Sequence, residues 1–309
     1  MADSVFPKDF LWGASTSAYQ VEGAALEGGK KASQQDVINA KNFEERGFAT
    51  AEVTSDHYHH MHEDVELMAE MGLKAYRFSI AWSRVIPDGT GEPNPEGVKF
   101  YHDLIDNLIA HGIEPIVTLY HYDLPWALVE RYDGWISRQV VDDFAAYARF
   151  VISEYGDKVK YWTTINEQSI IVQYWTQKCF IADKFLSQNQ LRYQINHHMN
   201  LAHAIACNLV HELVPGGMVG SVIGYSPIYP LTSKPEDVMA AQNAHDLRNA
   251  YYLDIYFKGH YTKSAQLYLE RHGLAPRIEP GDMELIASGT SDFLGINYYA
   301  SECARWCPD

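Results

Sequence analysis

The residues best placed to do chemistry stand at the ends of short apolar runs. Thr118-Leu119-Tyr120 is followed by His121, Tyr122 and Asp123; Thr163-Thr164-Ile165 by Asn166 and Glu167; and Ile296 by Asn297, Tyr298 and Tyr299. Arg77 lies inside another such run, Tyr76-Arg77-Phe78-Ser79, where a buried guanidinium needs an anionic partner. Amide, imidazole, carboxyl, guanidinium and phenol groups gathered in this way suit a polyhydroxyl ligand. Glu167 carries the most weight. A carboxylic acid enclosed by apolar and amide groups keeps its proton to higher pH, can protonate a leaving oxygen and can then act as a base. A structural ion pair is equally open for Glu167, and Asp123, as a loop acid, reads as a cap or turn former.

These runs must be held by regular elements. Apolar stretches at 10–13, 75–80, 115–119, 161–165, 219–225 and 293–298 read as six buried strands. Between them helical spacing covers 57–71, 95–109, 138–155 and 190–213. A further helical stretch, opened by Ser233 and Glu236 as a capping-box pair around Pro235, runs with breaks to about 270. Strands separated by helices and buried on both faces mean βα units and a parallel sheet. No glycine-rich phosphate loop follows an early strand, so a barrel is favoured over a doubly wound sheet. In a barrel, reactive residues sit at the carboxyl ends of strands, which is where the polar residues above fall.

Composition narrows the partners. The chain has 309 residues, 47% hydrophobic and 21% charged, which are globular values. With 24 basic and 40 acidic residues its net charge is −16, so nucleic acid and anionic membranes are poor partners. Aromatics are plentiful at 13%, and their faces suit stacking on sugars, although most will be core. The four cysteines, Cys179, Cys207, Cys303 and Cys307, are too few and too irregular for a disulfide scaffold. With no leader-like start and no long apolar span, the expected compartment is the cytoplasm.

Other arrangements lead nowhere. His57, His59, His60 and His62 crowd one short stretch, but no glutamate stands in a zincin pattern, so a helix surface is expected and metal is not. One of the pair His197-His198 could reach the site. No serine sits in a Gly-x-Ser-x-Gly elbow and no cysteine has an evident histidine partner.

Read together, the segments resemble glycoside hydrolase family 1, the β-glucosidase and 6-phospho-β-glucosidase family. The resemblance rests on the segment from Phe6 to Gly23, on Tyr76 to Arg84, on His121-Tyr122-Asp123-Leu124-Pro125, on Asn166-Glu167 and on Asn297-Tyr298-Tyr299, in that order. It implies a (β/α)8 barrel and retaining hydrolysis of a β-glycoside, with no cofactor. By the same resemblance Glu167 is the acid/base, Gln20, His121, Asn166 and Asn297 bind the sugar, and Arg77 and Tyr299 support the nucleophile. A small-molecule β-glycoside is then the partner, and a homo-oligomer is compatible with the sequence.

Three departures matter. Gln168 stands where the family usually has proline, and Tyr122 where many members have tryptophan. The nucleophile motif Thr-Glu-Asn-Gly is absent, and Glu279, Glu284 and Glu302 lie in no such motif. The expectation is therefore one catalytic barrel domain over 1–309, represented by about six of eight βα units and truncated after strand six. Its nucleophile would lie beyond residue 309, and the 309 residues alone would be inactive. Reducing surroundings, where imported sugars arrive phosphorylated, favour 6-phospho-β-glucosides over free β-glucosides or β-galactosides. A barrel that binds sugar without cleaving it is the alternative.

Overall fold

The computed structural model describes residues 6–170, 172 and 189–308. Among the described residues there are eight strands: β1 Gly13–Ser15, β2 Ala75–Ser79, β3 Glu114–Tyr120, β4 Tyr161–Asn166, β5 Met218–Gly224, β6 Ile228–Pro230, β7 Phe293–Asn297 and β8 Glu302–Ala304. Six of them form one sheet in the order β1-β2-β3-β4-β5-β7, parallel throughout, while β6 and β8 pair in a second, parallel sheet.

The barrel reduced to six units is thereby corrected on two counts. The described residues hold eight strands, not six, and the chain runs on from β7 into β8. The larger sheet is an open half-barrel, since β1 and β7 do not pair with each other. The extra pair escaped the sequence because β6 and β8 are three residues long and show no apolar period. They are tied together by Glu302 N–H to the Pro227 carbonyl and Leu231 N–H to the Ala304 carbonyl, each at 2.8 Å.

The central strands follow from side-chain alternation. In β2, Tyr76 and Phe78 are buried on one face, with Phe78 stacked parallel to Tyr101 of the helix Pro95–Ala110. Arg77 then points to the other face, where Thr118 of β3 and Thr163 of β4 also stand. One face of the sheet is therefore apolar under helices and the other carries a polar layer. Trp162 and Thr164 of β4 occupy the helix side, where Thr164 bonds His203 of the helix Asn189–Leu213 at 2.8 Å.

β1 begins later than its apolar run suggested. Phe6, Phe10 and Trp12 form a partly exposed aromatic trio with ring centroids 4.7–4.8 Å apart, and the strand itself is made of small residues. Gly13 is required there, because a Cβ would come within 2.3 Å of the Ala75 carbonyl oxygen. No helix among the described residues is long and apolar enough to cross a membrane.

Candidate active site

The polar layer converges at the carboxyl ends of β2, β3, β4 and β7. Arg77 donates from Nε to Thr118 Oγ1 at 2.8 Å and from Nη2 to Asn166 Oδ1 at 2.9 Å. Thr118 and Thr163 share a hydrogen bond of 2.7 Å beneath them. Asn297, the last residue of β7, donates from Nδ2 to the same Asn166 oxygen at 3.3 Å. Asn166 is buried, and with its oxygen occupied twice its amide N–H groups are the part left to face Tyr122 and a ligand. Burial lowers the Arg77 pKa to about 10, against the opposing charge of Glu167, so the group is still a cation at neutral pH.

Glu167 follows β4 directly and is 9% exposed. Its backbone N–H donates to the Val222 carbonyl at 2.9 Å, which fixes the turn to β5. Its φ is +44°, a left-handed conformation that a residue with a Cβ adopts only under constraint. Tyr122 has φ +72° and reaches across to it; the phenol donates to Glu167 Oε2 at 2.8 Å. On the far side Gly224 leaves room for the carboxylate, since a Cβ there would lie 3.0 Å from Oε1.

His121 is buried beside Tyr122, their rings perpendicular with centroids 5.2 Å apart. Its backbone N–H donates to Asp123 Oδ1 at 3.3 Å, so Asp123 is the turn former the sequence suggested. Burial raises the Asp123 carboxyl pKa to about 7, opposed by its hydrogen bonds to backbone N–H groups. Gln20 is exposed on the short helix Ala18–Val21 and accepts from Ser17 Oγ at 2.6 Å. That helix is pinned to the end of β2 by Ala18 N–H to Ser79 Oγ at 2.8 Å.

Arg77, Asn166, Glu167 and Asn297 are thus brought together, with His121 alongside. Tyr299 is not bonded into the cluster: it lies beyond β7 and is 85% exposed. The glutamates weighed as second carboxylate sit elsewhere. Glu279 pairs with Arg138 at 3.5 Å and Arg277 at 3.7 Å, Glu302 pairs with Arg248, and Glu284 is exposed.

Four residues carry more than the sequence suggests. Tyr122 registered only as a departure from a motif. Thr118 and Thr163 form the floor under Arg77, and β-strand alternation with Arg77 could have revealed them. Gln168 is a buried hub: Nε2 donates to Asn200 Oδ1 at 2.6 Å, Asn196 Oδ1 at 2.8 Å and the Asn196 carbonyl at 3.0 Å, and Oε1 accepts from Tyr256 at 3.3 Å.

The histidines have structural partners. His57 is buried on the helix His57–Glu70 and bonds Asp64 at 2.6 Å, which corrects its reading as helix surface. His59 and His60 pair with nearby acids. His197 is bound between Tyr261 and Asp282, each at 2.8 Å, and His198 contacts the Trp135 carbonyl at 3.0 Å. Among the described residues no group of three His, Cys, Asp or Glu could hold a metal ion. Trp175 and Cys179 lie outside the described residues, and Trp306 is half exposed after β8.

The family model for glycosyl hydrolase family 1 matches residues 2–308. The chain belongs to glycosyl hydrolase family 1. Among its family 1 relatives, the aryl-phospho-β-D-glucosidase BglC of Bacillus subtilis is 47% identical over 300 residues, covering 95% of this chain and 61% of that protein. β-Glucosidase 25 of Oryza sativa is 38% identical, covering 97% and 62%. Among solved family 1 structures, a rice β-glucosidase in covalent complex with Glc superposes with a TM-score of 0.88 at 36% identity, covering 96% of this chain and 65% of that one. A Thermotoga maritima β-glucosidase in complex with glucoimidazole gives 0.86 at 34%, covering 96% and 67%. The chain therefore spans about two thirds of the length of these family 1 proteins.

Proposed function

We propose that the protein is a retaining β-glycosidase in which Glu167 is the acid/base, and that it prefers 6-phospho-β-glucosides. The observation that carries the reading is the joint placement of Glu167 and Asn166 at the end of β4, with the Asn166 oxygen held by Arg77 and Asn297. In the first step Glu167 would protonate the glycosidic oxygen while a carboxylate attacks the anomeric carbon. In the second it would take a proton from the water that releases the sugar. Asn166 is suited to donate to the sugar 2-hydroxyl, a contact that strengthens as the ring flattens toward the oxocarbenium-like transition state. Gln20, on the helix pinned to the end of β2, and His121, beside Tyr122, are taken as sugar-binding residues. The attacking carboxylate is left to a residue outside the described set; Arg77 and Tyr299 are the groups proposed to face it.

The phosphate preference draws on the relatives. BglC and two further Bacillus subtilis relatives, BglH and BglA, are named aryl-phospho-β-D-glucosidases, and AscB of Escherichia coli is named a 6-phospho-β-glucosidase. Plant β-glucosidases at 37–38% identity keep unphosphorylated glucosides as the second reading. A cytoplasmic enzyme would meet sugars phosphorylated on import, which agrees with the first. Hydrolysis of nitrophenyl β-glucoside and of its 6-phosphate by the protein as its gene encodes it, with Glu167→Gln as control, separates the two. Saturable sugar binding without turnover would favour the non-catalytic reading instead.

A further inference from the structure

Tyr122 and Glu167 are both non-glycine residues in the left-handed region, and each lies just past the end of a neighbouring strand. Neither strand end forces this by itself. The two turns bring a phenol and a carboxylate to 2.8 Å across β3 and β4, with the Asn166 amide 3.5 Å from the same phenol oxygen. Burial, together with the charge and hydrogen bond of Glu167, pushes the Tyr122 phenol far above its ordinary range. The phenol therefore keeps its proton and stays the donor.

The contact is one-sided. Tyr122 takes Oε2, while Oε1 lies on the Gly224 side, where the missing side chain leaves space around it. We propose that Tyr122 is a positioning residue: it holds Oε2 of Glu167 so that the proton exchanged with the glycosidic oxygen travels on Oε1. The inference rests on the proposed acid/base role of Glu167 and adds which oxygen works and what orients it. A proton moves from Oε1 to the glycosidic oxygen as the C–O bond breaks, and returns to Oε1 from water in the second step. Tyr122 itself gives up no proton.

Acid assistance matters most when the leaving group is poor, so orientation of the acid should show in leaving-group dependence. Tyr122→Phe is expected to lower kcat/KM about 10- to 100-fold on methyl β-glucoside or its 6-phosphate, and far less on the dinitrophenyl glycoside. In a Glu167→Gln background the same substitution should have almost no further effect, because it acts through that carboxylate. A loss equal for all leaving groups, or one that multiplies with Glu167→Gln, would overturn the proposal. Protein labelled with 13Cζ-tyrosine gives a readout free of turnover: the Tyr122 signal, assigned by its loss in Tyr122→Phe, should move in Glu167→Gln. An unmoved signal overturns the proposal even in an active glycosidase. A moved signal in a protein that hydrolyses no glycoside overturns the acid/base reading, and the positioning role with it, while leaving the contact real.

Discussion

Arg77 and Asn166, 89 positions apart in the chain, are joined by a hydrogen bond of 2.9 Å from the guanidinium to the amide oxygen. That bond decides which way the amide faces, since its oxygen also receives Asn297 at 3.3 Å. Asn166 can then offer only N–H groups to a ligand. Asn166→Ala is expected to lower kcat/KM about 10²- to 10³-fold, with kcat falling more than KM changes, because the contact matters most in the transition state. Steady-state kinetics on nitrophenyl glycosides read this directly.

Gly224 gives Glu167 its room. In Gly224→Ala the new Cβ would lie 3.0 Å from Oε1 and 3.5 Å from Cδ, so the carboxylate must shift by a few tenths of an ångström. The expected result is a loss of roughly tenfold or more in kcat from a displaced acid/base, with a thermal midpoint close to that of the parent. Parallel activity and melting measurements check it.

Asp123 makes stability depend on pH. Its folded pKa of about 7 lies above the unfolded value near 3.8, so between the two the folded state binds the extra proton. Stability from this group is complete below the lower value and is lost as pH rises through the higher one. Asp123→Asn keeps an oxygen for the His121 N–H and removes the titration. The variant should be more stable than the parent above pH 7, by on the order of 2 to 4 kcal/mol, with the gap closing toward pH 4. Urea unfolding at several pH values gives the comparison.

Gln168 is expected to matter for folding. Gln168→Ala leaves the side-chain oxygens of Asn196 and Asn200 and the hydroxyl of Tyr256 without this partner in a buried space. The cost should be roughly 2 to 4 kcal/mol, seen as a lower denaturation midpoint. A proline at the same position would lose the same bonds.

The sequence made some of this plain. Strands β2 to β5 announce themselves as apolar runs, and the polar residues that end β3, β4 and β7 stand out against them. Local signals were less faithful. Ser233 and Glu236 look like a capping box, yet Lys234 takes the N-cap position and Thr232 supplies the hydrogen bonds, to the Lys234 N–H and the Asp237 carboxylate. The capping box that forms is Ser33 with Asp36. β6 and β8 are too short to carry a period, so only the fold brings them together. Tyr122 could not be read as a partner of Glu167, because that contact depends on two left-handed turns that no residue type at those positions advertises. Tyr299 gets its role from resemblance alone; it stands beyond β7 and is 85% exposed.

The central claim is that Glu167 is the acid/base of a β-glycosidase. Its most direct measurement is the hydrolysis of nitrophenyl 6-phospho-β-glucoside and nitrophenyl β-glucoside by the protein as its gene encodes it, wild type beside Glu167→Gln. The account predicts turnover of the phosphorylated substrate in preference, reduced about 10²- to 10⁴-fold by the substitution. Turnover that survives Glu167→Gln unchanged, or a wild-type protein that cleaves neither substrate, would contradict it.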